Sequence, residues 1–112
     1  MAGGGFVAVL VVHLHFPQVQ SLKGKRRELQ RVKAQLHGRL GATVAETDHH
    51  ELWQRSTLTA ALAARTGRDA QELADCAERW LHANWPEGVR IERLVRSLED
   101  LRDIQVRSDG GG

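Results

Sequence analysis

Between Phe6 and Phe16 every even position is apolar: Phe6, Ala8, Leu10, Val12, Leu14 and Phe16. That alternation is what a strand needs when one of its faces lies on a core. The odd positions start apolar with Val7, Val9 and Val11 and end polar with His13 and His15, the pattern of a central strand. After Pro17 the period changes. Leu22, Leu29, Val32, Leu36 and Leu40 recur at helical spacing, with Ser21 as N-cap and Gly38 and Gly41 as the stop. The stretch "ATVAETD" predicts a short strand, "HHELWQR" a connection, and "STLTAALAA" another strand with Leu58, Ala60, Leu62 and Ala64 on one face. Alanine favours helix, but Thr57, Thr59 and the short length favour the strand.

A second helix is marked by Asp69, with Glu72 three residues later, as a start resembling a capping box. Leu73, Cys76, Ala77, Trp80 and Leu81 form its apolar stripe and Pro86 its end. In "GVRIERLVRSLEDL", Val89 and Ile91 alternate as in a strand; Leu94, Val95 and Leu98 break the rhythm, which predicts a strand over about 88 to 97 followed by a bulge or a short helix. The order strand, helix, strand, strand, helix, strand is the split βαβ arrangement of the ferredoxin-like fold, an α+β class with a four-stranded antiparallel sheet. Right-handed crossovers place both helices on one face of the sheet. The other face then presents Val7, Val9, Val11, Thr57, Thr59, Ala61 and Ala63, small apolar surface that a lone monomer rarely leaves in water. A second copy or another partner is expected to cover it, and a homodimer is the simplest arrangement.

Composition narrows the class. The 112 residues are 41% hydrophobic and 27% charged, enough for one ordinary globular core. The expected organisation is a flexible tail over 1–5, one domain over 6–98 and an extension over 99–112 with a flexible end. A net charge of +2 does not by itself point to nucleic acid, so the placement of the charges must carry that case. Cys76 is the single cysteine, which precludes an internal disulfide and, inside an apolar stripe, reads as a buried thiol. The run from Phe6 to Val12 is too short to span a bilayer and lacks a basic leader. A cytoplasmic protein with no membrane partner is the expectation.

The most informative charges are Lys23, Lys25, Arg26 and Arg27 in the first two turns of the first helix, where the helix dipole is already positive. Each is unfavourable there by about a few tenths of a kcal/mol. A phosphate is the natural guest for such cations beside free backbone N–H groups. At 100° per residue, Lys23, Arg27 and Arg31 point outward, Arg26 and Lys33 flank the apolar stripe, and Lys25 points close to it. Lys25 is therefore expected to snorkel or to pair with a carboxylate. The competing reading of the whole set is a solvated helix face partly balanced by Glu28.

"AETDHHELWQRSTL" adds candidates of a second kind. His13, His15, Asp48 and His50 offer a conceivable metal set, yet no HExxH or Cys/His spacing is present, so no metal or other cofactor is expected. His49, His50, Trp53 and Arg55 form a possible adjoining surface, in which Trp53 stacks on a base or else packs in the core. Asp48 reads as a cap for the turn into "HHEL", because no nucleophile stands at a recognisable spacing from it.

"SLKGKRRELQRVK" followed by "VAETDHHELWQR" resembles the YlxP-like family of small bacterial proteins of unknown function, over most of residues 6 to 98. The resemblance implies a ferredoxin-like fold and no established activity. Members are often encoded beside a transcription elongation factor, a translation initiation factor and a ribosome-binding factor, which tilts the expectation toward RNA or a ribosomal particle. Other RNA modules fit less well. An RNA-recognition motif needs aromatics on its central strands, and "STLTAALAA" has none. "GRLG" matches the KH-domain loop, but here it lies between a helix and a strand, where a helix stop explains it. The acylphosphatase cradle is missing from "FPQVQS", so catalysis has little support. The expected function is a non-enzymatic RNA- or ribosome-associated module using Lys23, Lys25, Arg26, Arg27 and Arg31. The alternative is a homodimeric interaction or regulatory protein acting through its exposed sheet face.

Overall fold

The computed structural model describes residues 4–85 and 88–103. The elements follow the predicted order: β1 (Phe6–His15), α1 (Leu22–Leu40), β2 (Thr43–Asp48), β3 (Arg55–Ala64), α2 (Gly67–Asn84) and β4 (Val89–Ser97). A helical segment continues over residues 98–103, so the broken rhythm at Leu98 marks a short helix. Pro86, expected to end α2, and most of the glycine-rich tails, residues 1–3 and 104–112, lie outside the described residues. At the tail's inner edge, the Gly5 carbonyl accepts from the Leu98 N–H at 2.8 Å.

The sheet has the order β2-β3-β1-β4, antiparallel throughout, and is ferredoxin-like. The even residues of β1 face the helices, and Ala8, Leu10, Val12, Leu14 and Phe16 are all buried there. From the helix side, Leu29, Val32 and Leu36 of α1 and Ala70, Ala74, Ala77 and Leu81 of α2 complete the core. Ser21 caps α1 by accepting from the Gly24 N–H, and Gly41 ends it in the left-handed region at φ 72°, a conformation glycine adopts without steric cost. Gly38, expected to share the stop, lies within the helix.

Helix α2 departs from expectation in two ways. Its N-cap is Thr66, whose hydroxyl accepts from the Asp69 N–H at 3.0 Å; Asp69 lies in the first turn, where its charge suits the positive helix end. Cys76 is exposed. The face that meets the sheet runs through Ala70, Ala74, Ala77 and Leu81, and Cys76 sits about 130° around the helix from that line. Small alanines let the backbone approach the sheet closely, so the larger Leu73 and Trp80 flank the contact and are only partly buried.

Edge strand β4 turns Arg93 toward the helices in the row of Ile91 and Val95. The guanidinium is held by Asp75 at 2.7 Å, by Glu78 and by Gln71 at 2.8 Å, all on α2. Burial alone depresses the Arg93 pKa, but the two carboxylates more than offset it and the net shift is upward. An inward-pointing charge on an edge strand also discourages pairing with a further strand.

Candidate nucleic-acid interface

Lys25 lies in the apolar stripe of α1, four residues before Leu29, and is 2% exposed. Its Nζ donates to the carbonyls of His49 at 2.5 Å and Leu52 at 2.6 Å and to Glu46 Oε2 at 2.9 Å, so its three protons each have an acceptor. Glu46 reaches this point because it shares the inward face of β2 with Val44, and its Oε2 also accepts from the Ser56 hydroxyl at 2.6 Å. Burial pushes the Glu46 carboxyl up, but Ser56 and the Lys25 ammonium more than offset that and hold it below its usual value of 4.5. The expected pairing of Lys25 with a carboxylate is therefore present. Its expected place among the anion-binding cations is corrected, because a fully engaged buried ammonium has no donor left for a ligand.

What Lys25 does instead is fix the β2–β3 connection, residues 49–54. His49 adopts φ 63° there, a left-handed conformation uncommon for a non-glycine residue, and its N–H is met by Asp48 Oδ1 at 2.8 Å. Gln54 donates to the Val19 carbonyl at 3.2 Å, tying the loop to the chain that leads into α1. On this anchored loop Leu52 is 46% and Trp53 51% exposed. Trp53 is thus not a core residue. Phe16, Trp80 and Trp85 form the aromatic cluster, with T-shaped contacts at 6.5 and 5.6 Å.

Lys23, Arg26 and Arg27 are exposed on the first two turns of α1, whose first turn carries no acid. Among the described residues none of the three is in salt-bridge contact with a carboxylate. Arg31 is partly committed, with Glu28 at 3.4 Å and the Trp85 ring 5.0 Å from its guanidinium carbon. Because Lys25 joins α1 to the loop, these cations and Trp53 belong to the same end of the molecule.

The open face of the sheet reaches that end too. Register sets His13 opposite Thr57 on β3 and Arg90 on β4, and His15 opposite Arg55. His13 bonds the Thr57 hydroxyl at 3.2 Å through Nδ1 and Glu92 at 2.7 Å through Nε2. Chiefly through that bond, the Glu92 carboxyl is held below its usual value. Thr57, expected on an oligomer face, is only 6% exposed. The proposed metal set does not assemble: His50 turns to the Glu46 carbonyl at 3.1 Å, and among the described residues no group of three or more His, Cys, Asp or Glu converges on one point.

The sequence over residues 7–104 matches the family described as "Protein of unknown function (DUF503)". The chain belongs to the DUF503 family. Among solved structures, this DUF503 chain is similar to "De novo designed protein Foldit4", with a TM-score of 0.53 and 8% identity over 82% of this chain and 96% of that one. At that identity the likeness concerns the fold alone. Comparison with curated proteins gives no match. No helix among the described residues of this DUF503 chain is long and apolar enough to cross a membrane.

The structure thus brings Lys23, Arg26, Arg27, His49, His50, Trp53 and Arg55 to one end and withdraws Lys25. Sequence reasoning missed Arg90, which joins this end only through its pairing with His13. The signal for it lay in strand register, which no local motif carries.

Proposed function

We propose that this DUF503 family member is YlxP-like and acts as a non-enzymatic RNA- or ribosome-associated binding module in the cytoplasm, taking backbone phosphates on Lys23, Arg26 and Arg27. The observation that carries this reading is the unequal treatment of neighbouring charges. Lys25 is drawn inward to hold a loop, while the three cations around it stay in solvent without carboxylate partners among the described residues. On that held loop an indole stands half exposed. Exposed cations and an anchored aromatic at one end of the molecule suit a single strand, whose phosphates they neutralise and whose bases stack.

Neutralising about three phosphates of a single strand gives a slope of log affinity on log salt near −2. Replacing Lys23, Arg26 and Arg27 by Gln is expected to weaken binding of a single-stranded RNA and to flatten that slope toward zero in a filter-binding salt titration. Unchanged affinity and slope defeat the reading. A second reading has its own observation: Leu94, 47% exposed, pairs with Val9 on the open sheet face beside Ala61. Such a patch suits a homodimer, which Val9→Lys would dissociate in sedimentation; a monomer before and after the change removes it.

A further inference from the structure

At the polar end of the open sheet face, His13, His15, His49, Arg55, Thr57 and Arg90 line a hollow of about 260 Å³. A second hollow of about 380 Å³ is lined by His15, Leu52, Trp53, Gln54 and Arg55. The two share His15 and Arg55 as a common wall, and they differ in chemistry. The first offers two guanidinium groups, imidazoles and a hydroxyl; the second offers an indole and the Leu52 side chain. Both walls are anchored. The first is set by strand pairing of β1 with β3 and β4, and the second stands on the loop that Lys25 grips.

We propose that this pair of hollows binds one phosphorylated nucleoside unit, the phosphate between Arg55 and Arg90 and the base on Trp53. Guanidinium groups present planar forks that match phosphate oxygens, and the exposed His15 adds a polar side chain to the wall, whereas His13 and the Thr57 hydroxyl are engaged with each other and with Glu92. The carboxylates nearby are already engaged: Glu92 accepts from His13 and lies 3.8 Å from Arg90, and Asp48 accepts from the His49 N–H. An indole at the side of a phosphate pocket adds stacking, which every base accepts through its π-face. The inference rests on the RNA reading only for the source of the unit. Its phosphate ligands, Arg55 and Arg90, differ from Lys23, Arg26 and Arg27 and lie on the face of the sheet opposite α1, while Trp53 is common to both readings.

The test is a set of titrations followed by amide NMR and by calorimetry, using the full chain with AMP, adenosine, inorganic phosphate and a ten-nucleotide single-stranded RNA. AMP is expected to shift the amides of His13, His15, Arg55 and Arg90, with adenosine and inorganic phosphate each at least tenfold weaker. Arg55→Gln with Arg90→Gln is expected to weaken AMP at least tenfold, and Trp53→Ala to weaken AMP while leaving inorganic phosphate unchanged. The Gln variants of Lys23, Arg26 and Arg27 leave AMP binding intact. If AMP up to 10-fold over the protein's millimolar range moves none of those amides, or if the double Arg variant binds it within about twofold of the parent, the site is overturned. RNA bound and then lost only in the helix variants, with no AMP response, overturns the pocket and leaves the RNA reading standing. AMP bound in the pocket with no RNA binding supports a free nucleotide as the source and defeats the RNA reading.

Discussion

Substituting Lys25 by Met tests the claim that this residue organises the candidate interface from beneath. Met keeps the length and the apolar stem but removes the ammonium. Left behind are a Glu46 carboxylate at 15% side-chain exposure and two carbonyls, of His49 and Leu52, facing a methyl group. Removing one partner of a buried pair costs about 3–5 kcal/mol, because the other charge stays desolvated. Lys25 is 2% exposed, so solvent screening gives little discount. Against a total stability of about 5–15 kcal/mol for a domain, that is a large fraction. With a urea m-value of about 2 kcal/mol/M, the midpoint should fall by about 2 M. Equilibrium urea unfolding followed by circular dichroism measures it, with Lys23→Met as the exposed control. Hydrogen exchange gives an independent readout: the Leu52 amide, bonded to the His49 carbonyl at 3.2 Å, should lose protection more than the β1–β3 ladder does. A loss below about 1 kcal/mol, no larger than an exposed charge would give, refutes the buried-clamp account.

Two further outcomes follow from the geometry. Because the Glu46 carboxyl is held below its usual value of 4.5, its contribution is fully present above the unfolded value and fades as pH falls through the lower folded value. The stability gap between the parent and Glu46→Gln should therefore be widest near neutral pH and close in acid, as read from urea midpoints; a gap that widens below pH 4 contradicts the assignment. Gly88→Ala should cost about 1–3 kcal/mol, since a Cβ there would stand 2.8 Å from the His15 carbonyl oxygen, which is backbone and cannot swing aside. An alanine variant as stable as the parent in the same unfolding experiment would show that this approach relaxes freely.

The fold was most legible where a period was long and unmixed. Ten residues of alternation in β1 and the Lys25, Leu29, Val32, Leu36 stripe of α1 fix which side of each element is inside. Helix α2 was harder to phase, since its buried face is mostly alanine and alanine is indifferent to burial where Trp80 and Leu73 are not. The larger residues drew the expected stripe sideways and took Cys76 with them. The clamp was half legible. A lysine at an apolar position of a helix implied a partner, and Glu46 on the face of Val44 was an acid equally out of place; each anomaly explains the other. The carbonyls of His49 and Leu52 could not be foreseen, because backbone acceptors leave no mark in composition. Trp53 misled for a related reason: tryptophan at a strand entrance suggests core, but Phe16, Trp80 and Trp85 already fill that end.

The odd face of β1 changes character along its length, and that change keeps the two proposals about the open face from competing. Val7, Val9 and Val11 lie beside Ala63, Ala61 and Thr59, with Leu94 across from Val9 and Arg96 across from Val7, so a mainly apolar patch occupies one half of the sheet. His13 and His15, with Arg55, Thr57 and Arg90, occupy the other. A copy seated on the valines would leave the nucleotide hollow open, and Glu92, opposite Val11 and bonded to His13, marks the border between the halves. The two substitutions are accordingly separable. Val9→Lys places its charge away from the guanidinium groups and should alter assembly without altering AMP affinity, whereas the paired Arg55 and Arg90 changes should do the reverse. A single variant that abolished both would mean that the face works as one surface, with the phosphate contacts completed only when a second copy is present.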